Sequence, residues 1–114
     1  MKFEKETKAF DNANTLTIEV DYNKGGFNPF TGKQEARGVY VHVRPEKVEN
    51  GMRSFTLFGE FSFKMLVKEM GRKSQKQIDM VGERIAPHID ELVAIAETKD
   101  KHAFYDKVMS IVLN

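Results

Sequence analysis

The chain has 114 residues, no cysteine, and 18 basic against 17 acidic side chains, a net charge of +1. That length suits a single domain over residues 1–114, able to bury roughly two thirds of its unfolded surface without metal or disulfide staples. The missing cysteines exclude disulfides and thiolate metal sites. The balanced charge speaks against a dedicated nucleic-acid binder, which carries a basic surplus or stripe.

Met1 to Phe10 alternates charged and apolar residues and lacks the apolar core of a signal peptide. No later run approaches the roughly 18 apolar residues of a membrane span, so a soluble, cytoplasmic chain with no membrane contact is expected. Lys2 to Phe10 offers an optional fourth strand, anchored by Phe3. Thr15 to Tyr22 alternates without a break, with Leu16, Ile18, Val20 and Tyr22 on one face and Thr15, Thr17, Glu19 and Asp21 on the other, the pattern of a strand with one wet face. Val39 to Arg44 repeats it, with valines inward and Tyr40, His42 and Arg44 outward, and should stop at Pro45, which cannot continue a ladder. Asn50-Gly51 supplies the positive φ values of a tight hairpin turn, and Ser54 to Phe58 reads as the next strand.

From Ser62 the period changes. Phe63, Leu66, Val67 and Met70 fall at i, i+3, i+4 and i+7, one apolar helical stripe ending at Gly71. Ser74-Gln75-Lys76-Gln77 matches a capping box and opens a helix whose stripe is Ile78, Val81 and Ile85. Pro87 either kinks that helix or starts the next, which presents Ile89, Leu92, Val93 and Ala96. Asp100 caps a last helix with Phe104, Val108, Ile111 and Val112. The fold class is therefore α+β: a three- or four-stranded, mostly antiparallel sheet from a β-rich half (1–60), followed by and packed against three or four short C-terminal helices (61–114). The expected core is Leu16, Ile18, Val20, Val41, Val43, Leu66, Val67, Val81, Ile85, Leu92 and Val108.

Between the first two clear strands lies a long loop, residues 23–38. It holds four of the eight glycines, Pro29, Phe27 and Phe30, and the basic residues Lys24, Lys33 and Arg37. Loops of this length inside a small domain are uncommon and usually functional or disordered. Leaving each ring in water forfeits roughly 1.5–3 kcal/mol of burial, so the rings either fold back or meet a partner. Asn28-Pro29 starts a turn, with Phe30 packing back.

Catalytic arrangements fail on inspection. Gly32-Lys33 resembles a phosphate-binding loop, but five residues rather than four separate Gly26 from Gly32, Gln34 replaces the hydroxyl residue, and a strand follows where a helix is required. His42, His88 and His102 stand at no metal-ligand spacing. No nucleophile-elbow sequence accompanies them. Neither enzyme, cofactor nor metal is expected. Lys64, Lys68, Arg72, Lys73 and Lys76 face the single acid Glu69, and read as a solvated helix face with a basic last turn.

Two binding readings follow. In the first, loop 23–38 is the contact surface of a small non-enzymatic module for a protein partner or a second copy, with methionines 65, 70, 80 and 109 filling the core. In the second, Tyr40, His42 and Arg44 on the sheet's polar face, flanked by Lys24, Phe27, Phe30, Lys33 and Arg37, bind single-stranded nucleic acid by stacking and phosphate contacts. Glu19 and Asp21 on that face oppose the second reading. The order of strands then helix is similar to that of small coactivator-type single-stranded-DNA binders, in topology and in no motif.

Overall fold

The computed structural model of the chain describes residues 1–29, 31–54 and 61–113. Its strands are β1 (Lys2–Glu6), β2 (Thr15–Asn23), β3 (Gly26–Asn28), β4 (Lys33–Glu35), β5 (Gly38–Glu49), β6 (Met52–Ser54) and β7 (Phe63–Glu69). Three helices follow, α1 (Gln75–Ile85), α2 (Ile89–Glu97) and α3 (Lys101–Leu113). The class is α+β, with a five-stranded antiparallel sheet and the helices packed on one face. The optional strand at the N-terminus is present as β1, paired to β2 from Lys2↔Glu19 to Glu6↔Thr15. None of the described helices is long and apolar enough to cross a membrane.

β5 is the spine. It pairs with β2 from Asn23↔Gly38 to Thr15↔Glu46, with β7 over Gly38 to Val43, and with β6 over Lys47 to Glu49. The expected stop at Pro45 is wrong, because β5 runs on to Glu49. Pro45 falls after β7 has ended and before β6 begins, so its missing N–H interrupts neither of those ladders. Asn50 and Gly51 then turn the chain with φ of 52° and 76°, as their types foretold. Of the strand expected at 54–58, Ser54 closes β6 and Phe55 to Phe58 lie outside the described residues.

The largest correction is β7. The stripe Phe63, Leu66, Val67, Met70 is not helical, and the helical half begins at Gln75. Phe63 lies opposite Val43 and Met65 opposite Val41, facing the helices, while Lys64 and Leu66 lie opposite His42 and Tyr40 on the other face. A β-bulge then adds Val67, because Val39 pairs with Lys68 while Tyr40 pairs with Leu66. An extra residue of this kind shifts the pleat by one. It lets Val67 bury while Lys68 swings to the helix side and donates to Gln77 Oε1 at 2.8 Å. Leu66 is consequently half-buried on the second face and not part of the core.

The buried residues form one cluster of Leu16, Ile18, Val20, Val39, Val41, Val43 and Met65 from the sheet with the expected helix stripes. Ser74 Oγ accepts from the Gln77 N–H at 3.3 Å and Asp100 Oδ1 from the Ala103 N–H at 3.0 Å, so both N-caps are made, but the Gln77 side chain accepts from Lys68 and the capping box is only half formed. Pro87 sits in a 3-10 turn, Ala86–His88, that breaks α1 from α2. Four rings run through the core, Phe10 to Phe61 to Phe63 to Phe104, with centroids 6.1, 5.0 and 5.4 Å apart. Met65 is buried and Met70, Met80 and Met109 pack against the cluster.

Replacing the fully buried Ile18 with Ala is expected to lower stability by about 2–5 kcal/mol, the transfer term plus the cavity. The same change at Leu66 should cost less than half as much in the same urea titration. Equal losses would place Leu66 inward and contradict the bulge.

Candidate functional site

Within loop 23–38 the described residues form two short strands. Gly25 and Gly26 leave β2 at φ of 73° and 105°, and a Cβ on Gly25 would fall on the Glu35 carbonyl, so glycine is required where the two legs cross. The Gly25 N–H donates to Asn23 Oδ1 at 2.8 Å. The chain then makes its own hairpin, β3 against β4, with Gly26↔Glu35, Phe27↔Gln34 and Asn28↔Lys33 as partners. The Gly32 N–H closes the turn onto the Asn28 carbonyl at 2.8 Å, which is the turn expected of Asn28-Pro29. Phe30 lies outside the described residues.

One face of the hairpin is fastened to the sheet. Glu35 Oε1 accepts from Asn28 Nδ2 at 2.5 Å and Oε2 pairs with Lys64 Nζ at 2.6 Å. These two donors, Lys64 first, hold the Glu35 carboxyl below its usual range. The Lys64 ammonium also lies 5.5 Å from the centre of the Tyr40 ring, and Tyr40 Oη donates to the Ala36 carbonyl at 2.6 Å. Because strand side chains alternate, anchoring the face of Asn28 and Glu35 turns Phe27 the other way. Phe27 is 67% exposed. Lys24, Lys33 and Arg37 are exposed; Lys33, opposite Asn28, shares the anchored face, and Gln34 shares the face of Phe27.

The other predicted site residues go elsewhere. Tyr40 is buried, and burial first, then Glu35 and Glu69, raises the pKa of its hydroxyl. Arg44 Nη2 meets Glu19 Oε1 at 2.9 Å, its Nε lies 3.6 Å from Glu46 Oε1, and its Nη1 donates to His42 Nδ1 at 2.9 Å. Arg53 reaches in from β6 to Glu4 and, at 3.7 Å, to the buried Glu46. Glu19 is thus neutralised by Arg44, so it is not the bare carboxylate expected to repel phosphate. The fully buried Thr17 hydroxyl has no hydrogen-bond partner among the described residues. Of the eight candidate residues Phe30 lies outside the described residues, and the other seven split: Lys24, Phe27, Lys33 and Arg37 share an open hairpin and its base, and Tyr40, His42 and Arg44 are engaged in the sheet.

The basic run Lys64 to Lys76 does not lie on one helix. It crosses β7, a turn and the first turn of α1. The Met70 N–H donates to the Arg37 carbonyl at 2.9 Å, and Tyr22 Oη donates to the Met70 carbonyl at 3.4 Å, so this run is fastened to the hairpin's base. Sequence spacing could not bring these together, because the contact depends on β5 pairing with both β2 and β7.

A concavity of about 380 Å³ lies between β7 and α3, lined by Phe63, Met65, Lys101, His102, Tyr105 and Asp106. Among the described residues no three His, Asp or Glu side chains gather as metal ligands. Compared with protein-family models, curated proteins and solved structures, the chain matches none.

Gly25→Ala is expected to destabilise the chain by more than about 1 kcal/mol in chemical denaturation, since it combines positive φ with a backbone clash. An unchanged midpoint would mean the legs do not cross there. Burial, then Arg44 and Lys64, lowers the pKa of His42 from its ordinary 6.5. The folded chain then binds fewer protons than the unfolded one, so this stabilisation is full above about pH 6.5 and declines as pH falls below it. Urea midpoints at about pH 7.5 and about pH 5.5 should differ less in His42→Gln than in the wild type; equal differences would contradict the assignment.

Proposed function

We propose that this chain is a small, non-enzymatic, cytoplasmic interaction module that grips a protein partner, or a second copy of itself, through the β3–β4 hairpin. The observation that carries the reading is Phe27, two-thirds exposed on a hairpin whose opposite face is tied to the sheet. A bare ring in water forfeits roughly 1.5–3 kcal/mol of burial. Aromatic and arginine side chains are where binding energy concentrates in interfaces. Holding the ring on an ordered hairpin lowers the entropy lost on docking, and the exposed Lys24, Lys33 and Arg37 give the hairpin and its base a positive charge of the kind that orients a partner. Interaction sites commonly sit on such loops above a rigid scaffold. The nucleic-acid reading loses support at Tyr40, His42 and Arg44, whose polar and aromatic groups are spent on internal contacts.

Phe27→Ser in the immobilised full chain should abolish retention of whatever protein the wild type holds from a native lysate. Its stability should stay within about 0.5 kcal/mol of the wild type, as for other exposed substitutions. Undiminished retention would remove the hairpin as the contact, and unfolding would show that Phe27 is structural.

A further inference from the structure

The hairpin shares its end of the sheet with the turn after β7. That turn runs from Met70 through Arg72 and Lys73 into Ser74, the N-cap of α1. Residues 21–38 and 64–77 meet there through the Met70 to Arg37 and Tyr22 to Met70 hydrogen bonds. Together the two stretches carry eight basic side chains against three acidic ones, a surplus of five in a chain of net charge +1. The remainder of the molecule is therefore acidic on balance, and the near-neutral total conceals a polar distribution of charge. Glu35 and Lys64 cancel each other. Lys24, Lys33, Arg37, Arg72, Lys73 and Lys76 are all exposed, and among the described residues none of the six has an ion-pair partner. Against them stand the exposed acids Asp21 and Glu69. The N-terminus of α1, with no acidic residue in its first turn, adds partial positive charge at the same end.

We infer, resting on the hairpin reading above, that the partner presents an acidic, extended protein segment: its carboxylates meet these six cations while one of its apolar side chains packs on Phe27. Like charges gathered in this way repel one another, and an anionic ligand relieves that repulsion. Basic clusters are a recurrent means of recognising acidic peptide motifs. A single-stranded nucleic acid would meet the same cations, but it binds by stacking successive bases on successive rings. Here Phe27 is the one bare ring at this end among the described residues. Tyr40 is buried, and Tyr22 is half-buried with its hydroxyl committed to Met70.

The test titrates the full chain with three labelled probes: a flexible glutamate–glycine peptide with a central Phe-Leu pair, its lysine-for-glutamate counterpart, and an oligothymidylate. The acidic peptide should bind, lose affinity as salt rises and its charges are screened, and bind at least about tenfold more weakly to the variant carrying Lys33→Glu, Arg37→Glu and Arg72→Glu. The lysine peptide should not bind. If the reversed variant is unfolded by circular dichroism, the three alanine substitutions replace it and the same loss is expected. No binding of the acidic peptide at about 100 µM, which puts the dissociation constant well above that concentration, overturns the inference, as does tighter binding of the oligothymidylate or undiminished binding by the charge variant. Phe27→Ser separates the two proposals. If charge reversal abolishes binding and Phe27→Ser does not, the acidic segment stands and the ring is no anchor; the opposite pattern keeps the hairpin and overturns the acidic segment.

Discussion

The molecule is organised by the register of β5. Along twelve residues this strand gives Val39, Val41 and Val43 to the helix-covered face and Tyr40, His42, Arg44 and Glu46 to the other. Side chains alternate with a period of two, so a slip of one residue would send the arginine and glutamate into the helix-packed core and the valines out. Moving an ion into such surroundings costs several kcal/mol even after relaxation. The register is thus held from both sides, by apolar burial on one face and by the Glu19–Arg44–Glu46–Arg53 array on the other. The three strands paired to β5 inherit it.

The hairpin inherits it as well. Tyr40 of β5 holds Ala36, and Lys64, placed opposite His42 by the β5–β7 pairing, holds Glu35. Two short strands of three residues have little stability by themselves. What fixes β3 and β4 is this pair of polar contacts at their base together with the two glycines that let the legs cross. Phe27 projects from the opposite face as a geometric consequence of alternation. The same pairing brings the β7–α1 turn beside Arg37 and assembles the cationic end from stretches that are remote in sequence.

Where one period dominates, the sequence could be read directly. Thr15 to Tyr22 alternates cleanly and is β2, and the stripes and caps of the helices from Ser74 onward match their structure. Asn50-Gly51 announced its turn. At β7 two periods coexist: Phe63, Leu66, Val67 and Met70 fit a helix, while Phe63 and Met65 alternate like a strand. The open side of β5 decides between them, because residues 38–43 need a ladder partner, and the bulge at Val67 hides the alternation from any local pattern. The extension through Pro45 was equally hidden, since it depends on β7 ending just before it. Of the site, the aromatic and basic character of loop 23–38 was evident in its composition. The engagement of Tyr40, His42 and Arg44 was not, because alternation assigns a face without saying what covers it.

The proposed contact depends on an ordered hairpin that carries a bare ring. Backbone relaxation of the free chain in solution measures this directly at residues 26–28 and 33–35, read alongside contacts from the Phe27 ring protons. Order parameters near about 0.85, the rigid-backbone value, with no contact from the Phe27 ring to the buried cluster, are the expected result. Order parameters below about 0.6, or a Phe27 ring in contact with core valines, would contradict it.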